Sequence, residues 1–361
     1  HYIVFKVTYF IRFNLRNVFM FGYDLGIDLG TSAITISVVG KGVVLEEPSY
    51  IAYDTQSEKI LYAGKRAYYL QGREPSGISV IQPIMNGAVS NYSLACQMVR
   101  YFMNKVLKKT IFKPRVVASV PSMSTDVEKR TLVSVLIAAG ARSVCLIEEP
   151  LCSAFGAGID PINPSGVFVI NIGAGTTDMA VISQGSMSQI ETIKIAGDSF
   201  DEAIVRYLRE TYGLLVGIRT AEDIKINIGC ARPRDTDVTM TAKGRNSTTG
   251  LPMTVEVSGN EICECLRPQL ERITAAARAL FERTSPQLVA DITNSGIILT
   301  GGMSQLYDMD ALISRELALD VIVPVNPNLC VSKGCELALK KMSILDQYGY
   351  SFKTKEEVRT R

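Results

Sequence analysis

One pattern that occurs twice constrains this chain more than anything else in it. Leu25 to Ser32 reads LGIDLGTS and runs into the apolar alternation Ile34, Ile36, Val38. Phe168 to Thr177 reads FVINIGAGTT and runs into Met179 and Val181. Each copy is a strand, an acid or amide, a glycine turn, a hydroxyl pair and a second strand. One such turn is an ordinary connection between strands; two matched copies predict a duplicated molecule with one hairpin in each half. Glycines let the backbone approach an anion and aim successive N–H groups at it, and Thr and Ser hydroxyls add further donors. An aspartate closing the first strand, Asp28, suits a hydrated Mg²⁺ beside phosphates.

From Tyr23 onward, short β-rich runs alternate with long helical patterns, which predicts an α/β protein. Val116 to Val120 is a buried strand closed by Pro121. Thr125 and Glu128 have the spacing of a capping box for a helix ending at Gly140. A second helix is expected to open at Ser199, with Glu202 in the same spacing, and to stop at Gly213. A third long helical pattern spans residues 258 to 283, broken or kinked near Pro268. Gly296 to Met303, GIILTGGM, is a strand entering a Gly-Gly turn before a helix, suited to packing backbone against a flat base or ribose. Neither the GxGxxG spacing of a dinucleotide fold nor the GKS/GKT of a P-loop is present.

With 361 residues, 47% of them hydrophobic, the chain can bury a large core, and two domains are expected. Lysine and arginine number 38 against 36 acids, net +2, so no whole-molecule field favours nucleic acid. The sole histidine is His1, at the chain's end. Ser-His-Asp and Cys-His catalysis and His-ligated metals are therefore excluded, and any chemistry must use carboxylates, hydroxyls, lysines and backbone amides. The eight cysteines lie mostly in apolar contexts and are expected to be reduced core residues. Cys263 and Cys265 are the one close pair. No run of 18 uncharged apolar residues predicts a transmembrane helix. The first 23 residues carry Lys6, Arg12 and Arg16 and no acid before the boundary. They suit an amphipathic membrane-surface anchor, a poor signal peptide, or upstream sequence absent from the mature protein, with Met20 a candidate start.

From about Tyr23 to Met342 the chain resembles MreB-type bacterial actins, members of the actin/sugar-kinase/DnaK ATPase superfamily. The motifs that carry the resemblance are IDLGTS, VPSMSTDVEKR, AGARSVCLIEEP, INIGAGTTDMAVIS, IAGDSFDEAI, RTAEDIKINIG, TGLP and ILTGGM. The resemblance implies an actin-like ATPase fold, two RNase-H-like α/β lobes each carrying a smaller inserted subdomain, with Mg²⁺ and ATP in the cleft between them. The expected divisions are an extension over 1–22, a first lobe from 23–40, 76–155 and 325–345 with its small subdomain at 41–75, and a second lobe from 156–195 and 255–324 with its small subdomain at 196–254. A polar tail covers 346–361. Carried over by position, Gly30, Thr31 and Ser32 would bind phosphate from the first lobe, and Gly173, Ala174, Gly175, Thr176 and Thr177 from the second. Asp28, and Asn171 through water, would hold the metal. Glu222, Lys225, Gly301, Gly302 and Met303 would meet ribose and base. Glu149 would orient the attacking water with Thr176 assisting. Glu222 and Lys225, three apart on a helix, have a surface ion pair as their alternative reading.

The resemblance further implies a homopolymer of paired protofilaments on the inner face of the cytoplasmic membrane, working with cell-shape or wall-synthesis membrane proteins and with no nucleic acid. Lys108 to Arg115 places Ile111 and Phe112 among four basic residues where MreB-type proteins carry a membrane-insertion loop; a helix end packing both on the core is the alternative. The chain departs from the family's DIGGGTT at Asn171 and Ala174. The lost carboxylate predicts ATP binding with slow hydrolysis. A non-polymerising regulatory paralogue and a small-molecule kinase of the same superfamily are the alternative functions.

Overall fold

The computed structural model describes residues 23–107 and 112–359. Its two principal sheets repeat one plan. In the first, Gly42–Pro48, Ala33–Val38 and Leu25–Leu29 form an antiparallel meander. Arg115–Val120 and then Ser143–Glu148 continue parallel from Leu25–Leu29. In the second, Ser186–Ile193, Thr177–Ser183 and Val167–Ile172 form the meander, and Ile297–Thr300 and Val321–Ile322 continue parallel. The parallel strands read as continuous apolar runs because helices cover both faces. Val167–Ile172 is buried throughout. The duplication foreseen from the two hairpins is therefore a duplication of whole sheets.

Smaller sheets are attached to each. Ile60–Ala63, Ile51–Asp54 and Ile78–Ile81 pair beside the first, with the short helix Lys65–Leu70 between the strands Ile60–Ala63 and Ile78–Ile81 in the chain. Leu214–Leu215, Thr239–Asn246 and Pro252–Ser258 pair beside the second, next to the helix Ile218–Ile228.

Each half has its own core, the first around Phe102, Ile27 and Leu136 and the second around Phe168, Phe200 and Ile273. Each such fully buried side chain contributes roughly 1.5–3 kcal/mol of transfer free energy. A third core joins them: Val117 and Ile147 from the first sheet meet Val169, Ala180 and Ile298 from the second around the helices Glu149–Gly156 and Cys330–Lys340. Those helices cross with backbones in contact. A Cβ on Gly156 would lie 1.8 Å from the Cys330 carbonyl oxygen, and one on Gly334 equally close to that of Cys152. All eight cysteines are free, seven of them buried, as their apolar contexts predict.

The helix Asp126–Ala139 starts on the expected Thr125/Glu128 capping box and ends at Gly140. Two expectations are corrected. Of the two outcomes expected at Pro268, a break or a kink, the break does not occur, since the helix runs over Gly259–Glu282 with the proline inside it; the lost N–H is one bond in a helix whose buried face, Ile262 to Leu280, is secured by packing. The helix expected to open at Ser199 begins at Gly197. Ser199 lies in its first turn, its hydroxyl donating to the Ala196 carbonyl at 2.8 Å and accepting the Ala196 N–H at 3.2 Å. Within the segment expected as a polar tail, Lys353–Thr354 pairs with the edge of the first sheet, and Tyr350 donates to Glu148 Oε2 at 2.9 Å.

Candidate functional site

The two hairpins face each other across a cavity of about 430 Å³. Their polar strand ends are built alike. Asp28 stands beside Ser119 of the neighbouring parallel strand, whose hydroxyl donates to Asp28 Oδ1 at 2.8 Å. Asn171 pairs in register with Thr300 of its own parallel neighbour, whose hydroxyl donates to Asn171 Oδ1 at 3.1 Å. The amide then does what a carboxylate cannot: Asn171 Nδ2 donates to Glu149 Oε2 at 2.8 Å. Glu149 is the first residue of its helix and is followed at once by Pro150, so its backbone is fixed by the strand end and proline while its side chain is fixed by Asn171.

The turns themselves touch. A Cβ on Gly175 would fall 2.5 Å from Thr31 Oγ1 and 2.8 Å from Asn86 Cα, so only glycine lets the second turn approach the first this closely. Thr31 is buried, with its hydroxyl accepting the Gly87 N–H at 3.3 Å and its carbonyl accepting Gln82 Nε2 at 3.0 Å. At the far wall, Gly301 has φ +86°, and a Cβ there would lie 2.2 Å from the Ile172 carbonyl oxygen; a Cβ on Gly302 would meet nothing within 4 Å. The Gly-Gly turn thus gives one tight strand exit and one open surface.

Of the residues expected at the site, the cavity is lined by Asp28, Gly30, Thr31, Ser32, Glu149, Asn171, Gly173, Ala174, Gly175, Thr176, Glu222, Lys225, Gly301, Gly302 and Met303. Thr177 does not line it: the side chain is fully buried and its hydroxyl donates to the Ile195 carbonyl at 2.7 Å. Glu222 and Lys225 are not a mutual ion pair. Lys225 is buried and donates to Asp201 Oδ2 at 2.8 Å and to the Gly197 carbonyl at 3.0 Å; Glu222 Oε2 accepts from the Tyr68 hydroxyl at 2.7 Å. Ile111 lies outside the described residues, and Phe112 is exposed on the surface, away from the cavity. Glu128 is confirmed as a capping residue, its Oε2 accepting from the Thr125 N–H and hydroxyl.

One residue that the sequence did not single out belongs here. Asp178 sits directly after Thr177 as the one charged residue of the strand Thr177–Ser183 and is fully buried. Its Oδ1 accepts the Ser122 N–H at 2.8 Å and the Thr192 hydroxyl at 2.7 Å, while Oδ2 has no hydrogen-bond partner. Ser122 belongs to the loop leaving the first sheet, so Asp178 ties the second hairpin to the first lobe. An acid directly before the apolar run Met179 to Ile182 was the available signal.

Burial dominates the electrostatics. It pushes Asp28 up to about 6 against the opposing Ser119 bond. It holds Glu149 well above the usual carboxylate range, with the charges of Asp178 and Asp28 adding to the effect and the Asn171 bond opposing it. Asp178 is likewise raised by burial, against its bonds to Thr192 and Ser122. The buried Asp178 and the half-buried Asp28 and Glu149, all raised by desolvation and none of them in an ion pair among the described residues, suit positive charge. Among the described residues no group of three or more acids, cysteines or histidines is placed to hold a metal unaided. All-oxygen donors offering only Asp28 and the polar strand ends fit Mg²⁺, which takes one or two protein ligands and completes its shell with waters and phosphate oxygens.

The MreB/Mbl protein family model matches residues 22–347. The cell shape-determining protein Mbl of Bacillus subtilis is 41% identical over 327 residues, covering 90% of this chain and 98% of that protein. The cell shape-determining protein MreB of Escherichia coli is 38% identical over 336 residues, covering 91% and 96%. Among solved structures, MreB5 of Spiroplasma citri bound to AMPPNP superposes with a TM-score of 0.85 at 31% identity, over 91% of this chain and 98% of that one. A second structure of the same protein is bound to ADP. A MamK double helical filament shares the fold, with a TM-score of 0.74 at 17% identity over 88% of this chain and 98% of that one. The duplicated sheets, the paired hairpins around one cavity and a match over nearly all of the described chain agree: this protein belongs to the MreB/Mbl family of actin-like proteins.

Proposed function

We propose that this chain binds Mg²⁺ and ATP between its lobes and assembles with its own copies into filaments on the inner face of the cytoplasmic membrane, organising cell shape and wall synthesis. The observation that carries this is the contact of the two hairpins at Gly175 and Thr31. Residues of both turns line one space, and glycine turns facing a common cavity suit a polyphosphate. The nucleotide-bound MreB5 structures and the relatives named for determining cell shape support the same reading.

In this mechanism Gly30, Thr31, Ser32, Gly173, Ala174, Gly175 and Thr176 bind the phosphates, and Asp28 would hold Mg²⁺, which would supply positive charge against the phosphate oxygens. Thr177 supports the turn from behind through Ile195. Glu222, Gly301, Gly302 and Met303 receive ribose and base, and Lys225 fixes the wall beside them through Asp201 and Gly197. Glu149 has one oxygen committed to Asn171 and offers the other to water. Hydrogen bonding to Asn171 orients Glu149 but lowers its basicity, and Asn171 contributes no charge to hold the metal. Both effects support slow hydrolysis. Phe112, 54% exposed beside Lys113, supports a membrane contact at this loop.

The tests are separate. Sedimentation with ATP tests assembly. Co-sedimentation of Phe112→Ser with anionic liposomes tests the membrane contact: the variant is expected to stay in the supernatant, and pelleting equal to wild type refutes the loop's role.

A further inference from the structure

Glu222 lines two cavities at once. One is the nucleotide cavity; the other, of about 360 Å³, opens at the cleft mouth between Tyr50, Tyr68 and the helix Ile218–Ile228. Its two carboxylate oxygens are not equivalent. Oε2 accepts from the Tyr68 hydroxyl at 2.7 Å, across a sequence separation of 154 residues. Tyr68 rides on Lys65–Leu70, beside the small sheet of the first lobe, whereas Glu222 belongs to the second lobe. The bond is one of a set. The Arg219 guanidinium, one helical turn before Glu222, lies 4.7 Å from the Tyr68 ring centre and 5.2 Å from that of Tyr69, and the Tyr50 ring packs edge-on against Tyr68 at 5.2 Å. Burial and the Glu222 carboxylate push the Tyr68 phenol up to about 12, so it remains a proton donor at any cellular pH.

We propose that Tyr68 is a positioning residue for ribose recognition: it fixes Glu222 Oε2, which turns Oε1 toward the ribose hydroxyls only when the cleft mouth is shut. This rests on Glu222 being the ribose ligand. An open cleft withdraws Tyr68, frees the Glu222 side chain to rotate and weakens its grip on the sugar. Nucleotide retention is thereby tied to closure at a point remote from the phosphates.

The test is equilibrium binding of ATP and 2′,3′-dideoxy-ATP, each with Mg²⁺, to the wild type, Tyr68→Phe and Glu222→Ala. Tyr68→Phe keeps the ring and its packing and removes only the hydroxyl; its thermal melt checks that it is folded. The wild type is expected to prefer ATP roughly tenfold or more, the effect of a hydrogen bond to a charged group. Glu222→Ala should abolish that preference. Tyr68→Phe should lose most of it by weakening ATP while leaving dideoxy-ATP unchanged. No preference in the wild type, or a preference that survives Glu222→Ala, removes the ribose role of Glu222. If Glu222→Ala abolishes the preference but Tyr68→Phe keeps it, or weakens both nucleotides equally, the positioning role fails while the ribose contact stands.

Discussion

Replacing Asn171 by the family's aspartate puts a carboxylate where an amide now donates to Glu149 Oε2 at 2.8 Å. Two unit charges at that separation repel by about 6 kcal/mol at an effective dielectric of about 20. Neutralising one carboxyl of ordinary pKa at pH 7 costs only about 4 kcal/mol, and less here because burial already holds Glu149 well above the usual range. The nucleotide-free variant therefore takes up a shared proton rather than bear the repulsion. Net destabilisation at pH 7.5 should be about 2–4 kcal/mol, a fall in Tm on the order of 5 °C. A carboxyl pair held above its unfolded-state pKa is protonated in the folded protein where the unfolded chain is ionised, so the deficit shrinks as pH falls toward 5. Mg²⁺ with ATP should restore more stability to Asn171→Asp than to the wild type, and phosphate release should rise. Thermal melts at pH 7.5 and 5.5, with and without Mg²⁺ and ATP, and a phosphate-release assay measure all of this. A nucleotide-free Tm within roughly 1 °C of wild type at pH 7.5 refutes the electrostatic reasoning. Unchanged phosphate release refutes the link between the missing carboxylate and slow turnover.

Gly175→Ala forces the hairpins apart at Thr31 and Asn86. ATP affinity should fall at least tenfold while stability changes by about 1–3 kcal/mol, and calorimetric titration would expose an unchanged affinity. Thr176→Ala should slow phosphate release with little change in Tm, whereas Thr177→Ala, losing its bond to Ile195, should cost about 1 kcal/mol of stability; the opposite assignment of effects would contradict the geometry. Glu149→Ala should abolish hydrolysis and leave ATP binding intact by fluorescence titration. Burial pushes Asp28 and Asp198 up to about 6 and Asp201 up to about 7. The nucleotide-free protein should therefore melt higher at pH 6 than at pH 8, because the folded state binds protons there that the unfolded state releases; a melt that rises with pH would overturn this.

The duplicated hairpins were legible because glycine turns between apolar strands carry their own local signal, and with them came the two sheets and most of the cavity. What remained illegible depends on contacts between distant segments. Asn171 reads in sequence as a lost charge; only the structure shows its amide holding Glu149. Lys225 and Glu222 have the spacing of an ion pair, yet Asp201 and Tyr68, which lie elsewhere in the chain, take them instead. Thr177 looks like Thr176 until the strand's alternation turns it toward Ile195. Pro268 reads as a helix break or kink because a local rule sees one lost bond, and the break is overridden by a buried face that the rule cannot see.

Nucleotide-dependent self-assembly is the central claim, and high-speed sedimentation of the purified protein with ATP, without nucleotide, and with Gly175→Ala, followed by electron microscopy of the pellets, tests it most directly. Filaments should appear with ATP and be absent without nucleotide and with the variant. ATP bound at the expected stoichiometry with no filaments at any protein concentration would contradict the account.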